Sequence, residues 1–116
     1  FNFSSTEINR IGKKLLGGVF YGVYPLDKIP FLPVPGAIIV NTQTSNLGGE
    51  HWLAVYNKPD AVYAFDPLRY YYPMILVSKL QAMSKKIVYN RIQYQELFTT
   101  TCGQHCLSWL KLQHSL

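Results

Sequence analysis

A chain of 116 residues with 48% apolar side chains can build one small core, which predicts a single domain over 1–116. The net charge of +5 comes from lysines and arginines scattered singly and in pairs, so it forms no basic tail, although contact with an acidic partner such as nucleic acid stays open. No apolar run approaches the ~18 residues of a membrane helix, and the two cysteines, four apart at 102 and 106, do not form a disulfide framework.

Taken in order, Ser4-Ser5-Thr6-Glu7 has the form of a capping box, a hydroxyl followed three residues on by a carboxylate. Ile8, Ile11, Leu15 and Leu16 follow at helical spacing, and Gly17-Gly18 supplies a stop, so a helix is predicted over 5–16. Val19 to Tyr24 is a short β-rich run. Leu26 to Pro35 carries Pro30, Pro33 and Pro35 and reads as an ordered surface loop. Gly36 to Thr42 is nearly all apolar, as in a buried strand, and Gln43 to Gly49 is a polar loop.

His51 to Tyr56 and Ala61 to Asp66 are predicted to form a hairpin around the turn Asn57-Lys58-Pro59-Asp60. If Tyr56 faces Ala61, then Val55 faces Val62, and His51 falls opposite Asp66 at the open end. Pro67 ends the second strand, and Pro73 opens a helix running to about Ser84. Ile87 to Tyr94 is β-rich again, and three threonines, 99 to 101, lead into a last helix over 102–113. This order predicts an α+β fold: one mostly antiparallel central sheet packed with helices, with a cysteine at the N-terminus of a core helix.

The chemistry-bearing residues are few. Cys102 stands where unpaired helix N–H groups favour a thiolate, the reactive form of the side chain. Gly103, just inside that helix, permits close approach to the backbone. Cys106 lies among Leu107 and Leu110 and reads as a buried apolar residue. His51 begins a strand after a Gly-Gly-Glu loop, which leaves room beside its ring. Asp66, brought beside it by the hairpin, can orient the imidazole and stabilise the imidazolium. Gln95 offers a side-chain amide that can donate to an oxyanion together with a backbone N–H near Cys102. A zinc site from Cys102, His105, Cys106 and one further histidine is disfavoured, because one helical turn would crowd three ligands. No metal or cofactor is expected. Trp52 points the opposite way from His51 in an extended chain.

Ala37-Ile38-Ile39-Val40-Asn41-Thr42, followed by Gly48-Gly49-Glu50-His51-Trp52, resembles the histidine region of the adenovirus protease (adenain) family. Tyr63-Ala64-Phe65-Asp66-Pro67-Leu68 resembles that family's acidic strand, where adenain has glutamate before proline. Gln95 and Cys102-Gly103-x-x-Cys106 match its glutamine–cysteine spacing, and the N-terminal helix and Gly22-Val23-Tyr24 are also similar. The resemblance spans roughly residues 4–110 and extends to the wider group that includes SUMO-type proteases. It implies Cys102 as nucleophile, His51 as general base, Asp66 as orienting acid and Gln95 as oxyanion donor. Gly49, Glu50, Trp52 and Gly103 would line the substrate.

The implied activity is a thiol endopeptidase of a virus or virus-like element, cutting capsid or precursor polypeptides at Gly-containing sites during virion maturation. A deconjugase for ubiquitin-like proteins and an inactive module binding nucleic acid or capsid are the alternatives. DNA stimulation is possible on charge grounds. The disulfide-linked activating peptide of adenain does not carry over, because residues 84–94 hold no cysteine. A reducing intracellular compartment or the virion is expected rather than secretion. The absence of a starting Met is expected of a processed or trimmed piece.

Overall fold

The computed structural model describes residues 3–42, 51–67, 72–90 and 102–116, with Cys102 described by its backbone. Helix α1 spans Ser5–Leu16, as expected from its caps. The Ser4 hydroxyl accepts from the Glu7 N–H at 3.2 Å. The Glu7 carboxylate accepts from the Ser4 N–H at 3.1 Å. Gly17 closes the helix at φ 63°, in the left-handed region where glycine carries no steric penalty. Ser4→Ala removes one of the two reciprocal bonds and is expected to cost about 1 kcal/mol, read as a lower urea midpoint at unchanged slope.

Five strands follow: β1 (Phe20–Pro25), β2 (Gly36–Asn41), β3 (Trp52–Asn57), β4 (Val62–Phe65) and β5 (Ile87–Tyr89). They lie side by side in chain order. The sheet is mixed rather than mostly antiparallel. The central pairs β2–β3 and β3–β4 are antiparallel, whereas β1–β2 and β4–β5 at the two edges are parallel. Parallel neighbours need a connection that returns the chain to the starting end of the sheet. Between β1 and β2 the proline-rich segment, with a 3-10 turn at Leu26–Lys28, makes that return. Between β4 and β5 it is made by helix α2 (Met74–Met83). The last helix, α3, runs over Cys102–Ser115.

The hairpin register also differs from the expected one. Tyr56 faces Tyr63, Val55 faces Ala64 and Ala54 faces Phe65, a slip of two residues. The turn sits one residue later than expected and is closed by a bond from the Lys58 N–H to the Ala61 carbonyl at 2.9 Å. Asn57 is retained in β3, where its buried side-chain amide donates to the Leu32 carbonyl at 3.0 Å. Side chains alternate faces with period two, so an even slip leaves each residue on its expected face.

Strand β3 is buried along its whole length because the sheet is covered on both sides. Trp52, Ala54 and Tyr56 face α1 and α3, joining Ile8, Leu16, Phe20, Leu107 and Leu110. Leu53 and Val55 face the other way, joining Leu32, Ile29, Leu76 and Leu80 under α2 and the proline segment. Phe65 stacks on Trp109 at 5.1 Å with an interplanar angle of 7°. The C-terminal end of α3 is held to the sheet by the Tyr56 hydroxyl and His114 Nδ1 at 2.9 Å, and by Lys58 donating to Gln113 at 2.8 Å. No described helix is long and apolar enough to cross a membrane.

Candidate active site

His51 sits immediately before β3, and Asp66 immediately after β4, so the two flank the same end of the hairpin. Carried one rung beyond Ala54–Phe65, the ladder puts Leu53 opposite Asp66, so His51 approaches the carboxylate diagonally. The contact is made all the same: His51 Nε2 lies 2.7 Å from Asp66 Oδ1. The Asp66 side chain is fully buried, while that of His51 is 25% exposed. The carboxylate is thus shielded from solvent at its contact with the ring, while the ring remains accessible.

A carboxylate accepts only, so a neutral His51 must carry its proton on Nε2, which leaves the lone pair on Nδ1. The backbone of His51 is fixed from β2. Its carbonyl accepts from the Thr42 N–H at 2.9 Å and from the Thr42 hydroxyl at 3.1 Å.

Asp66 is held as firmly from the other side. Its N–H donates both to the Tyr72 hydroxyl and to Asn90 Oδ1, each at 3.0 Å. Its carbonyl accepts from Asn90 Nδ2 at 2.7 Å. The Tyr72 hydroxyl in turn donates to Asn90 Oδ1. Burial, reinforced by the negative charge of Asp66, pushes the Tyr72 phenol far above its ordinary range, so it stays a neutral hydroxyl. Neither Tyr72 nor Asn90 is marked by any sequence motif. The sequence reading puts Tyr72 in a loop and Asn90 within a longer strand, which in fact stops at Tyr89.

Helix α3 begins at Cys102, and its first turn packs against the start of β3. A Cβ on Gly103 would come within 2.9 Å of Ile8 Cδ1 and 3.7 Å of Trp52 Cδ1. The close approach that Gly103 permits within the fold is to Ile8 of α1 and to Trp52. Cys106, one turn on, is fully buried, and its thiol donates to the Trp52 carbonyl at 3.3 Å. Trp52 is a core residue with no exposed surface, because β3 turns it toward α1 and α3. Gln95, Gly49 and Glu50 lie outside the described residues.

An accessible imidazole fixed to a buried carboxylate can take up a proton and stabilise the resulting cation. The first turn of a helix that opens on a cysteine packs against the residue next to that imidazole.

No family model and no curated protein sequence matches this chain. Among solved structures, the crystal structure of the ASFV pS273R protease is similar, with a TM-score of 0.59 and 16% sequence identity. The match takes in 72% of this chain and 35% of that one. This likeness shows a shared fold, in which a mixed sheet packs against helices, and it does not single out adenain.

Proposed function

We propose that this chain is a cysteine endopeptidase domain, with Cys102 as nucleophile, His51 as general base, Asp66 as orienting acid and Gln95 as oxyanion donor. The observation that carries the reading is the 2.7 Å contact of the accessible His51 ring with the buried Asp66 carboxylate, at the sheet end where α3 packs. The protease fold of the ASFV pS273R structure supports the same class.

In this mechanism His51 Nδ1 takes the Cys102 proton, and the thiolate attacks the carbonyl carbon of the scissile bond. The oxyanion is held by Gln95 and by backbone N–H groups at the start of α3. The imidazolium then protonates the departing amine, leaving a thioester. His51 next removes a proton from water, which attacks the thioester and frees the acid and the thiol.

The substrates proposed are capsid or other precursor polypeptides of a virus or virus-like element, cut at Gly-containing sites during virion maturation. DNA is the stimulator proposed, on the net charge of +5.

A peptide ending in Gly-Gly and carrying a thiol-reactive electrophile tests the reading directly. Peptide mapping is expected to find the label on Cys102. Cys106 should be spared, because it is buried and its thiol is engaged. A label on Cys106, or none on either thiol, would overturn the assignment. A panel of Gly-Gly fusions to ubiquitin-like proteins, set beside linear precursor peptides, separates a deconjugase from an endopeptidase.

A further inference from the structure

Strand β4 stops at Phe65, and Pro67, which has no N–H, prevents the ladder from continuing. Asp66 is left with a main-chain N–H and a carbonyl that β5 does not pair, because β5 itself ends at Tyr89. The next residue, Asn90, supplies the missing rung with its side chain. Its amide nitrogen donates to the Asp66 carbonyl at 2.7 Å, and its amide oxygen accepts from the Asp66 N–H at 3.0 Å. Its own N–H donates to the Ala64 carbonyl at 3.2 Å, which locks Asn90 to β4. The Tyr72 hydroxyl closes the group by accepting from the same Asp66 N–H, while its ring rests on Tyr89 at 4.5 Å.

A side-chain amide that bonds both main-chain groups of one residue fixes that residue's φ and ψ. Those angles set the Cα–Cβ direction from which the Asp66 carboxylate reaches the His51 ring.

We propose that Asn90 and Tyr72 are positioning residues that aim the Asp66 carboxylate at His51. Their action on catalysis rests on the protease reading above, but their action on the His51–Asp66 contact does not. Asn90 is the principal group, because it holds both main-chain atoms of Asp66. Tyr72 is secondary, because it shares a single N–H with Asn90.

The test reads the contact itself. In the wild-type protein, proton NMR is expected to show a downfield His51 Nε2–H resonance, assigned by its loss in Asp66→Ala. In Asn90→Ala that resonance should vanish or broaden, and in Tyr72→Phe, which keeps the ring on Tyr89, it should weaken while the fold is retained. Retention of the wild-type resonance in both variants would overturn the proposal, whether or not the protein cleaves anything.

A kinetic cycle adds the link to catalysis. Asn90→Ala should lower kcat by up to about 100-fold with KM little changed. In an Asp66→Asn background the same substitution should have almost no further effect. Full additivity of the two losses would mean that Asn90 does not act through Asp66. Absence of cleavage by the wild-type protein, with the resonance still lost in Asn90→Ala, would sink the protease reading and leave the positioning role standing.

Discussion

Cys102→Ala is expected to abolish both peptide-bond cleavage and reaction with thiol-directed electrophiles. Removing the nucleophile of a well-studied hydrolase lowers kcat by about 10⁶-fold, and the residue that remains comes from binding and oxyanion contacts alone. An alanine side chain has no lone pair to attack a carbonyl, so the covalent route is closed rather than slowed. The fold should not suffer, since Cys102 is the first residue of α3 and alanine is a better helix former than cysteine. Circular dichroism and the melting temperature are the controls.

The matched comparison is Cys106→Ala. That thiol is buried and bonded to the Trp52 carbonyl, and its loss should cost about 1 kcal/mol for the bond while cleavage persists. The roles of the two cysteines can therefore be separated by one pair of variants. Cleavage by Cys102→Ala at a rate near that of the unmodified chain would end the proposed assignment.

Features governed by short-range rules could be read from the sequence. The capping box at Ser4 and Glu7 and the glycine stop at Gly17 bound α1 because each depends on residues within one turn. The continuous apolar run of β2 signals burial on both faces for an equally local reason. The hairpin register depends instead on where the turn closes, and nothing near Pro59 announces that Asn57 stays in the strand. It stays because its amide reaches Leu32, a residue 25 positions away in the chain. The resulting slip is even, so His51 and Asp66 still meet at the open end of the hairpin although they are not directly paired.

The parallel edges of the sheet were hidden for a similar reason. Val62–Phe65 and Ile87–Tyr89 are too short to carry a directional pattern, and the crossover through α2 decides their sense. Trp52 was ambiguous because the family resemblance implies a place in the wall of a substrate channel, while a tryptophan in an apolar strand suits a core. The packing of α1 and α3 against β3 decides for the core. Asn90 was out of reach altogether, since an asparagine at a strand end is common and its partner is 24 residues upstream.

Asp66→Asn carries the second large effect. Asparagine preserves the shape of the side chain, and the bonds that hold residue 66 to Asn90 and Tyr72 run through its main chain, so the variant is expected to fold. What changes is the ring of His51. If the amide presents its oxygen, Nε2–H keeps a partner but the imidazolium loses its counter-charge. If it presents its NH₂ group, Nε2 must accept, and the proton moves to Nδ1, the nitrogen that should receive the thiol proton. Either outcome weakens the base. The equivalent change in a serine hydrolase lowers kcat by about 10⁴-fold through the wrong tautomer. A thiol ionises more readily than a hydroxyl, so the loss here should lie at or below that value.

KM should hold, because the Asp66 side chain is fully buried and has no surface to offer a substrate. Steady-state kinetics on a Gly-Gly peptide would therefore show a fall confined to kcat. A change confined to KM, or a rate within a few-fold of the unmodified protein, would remove Asp66 from the mechanism and leave its contact with His51 a purely structural one.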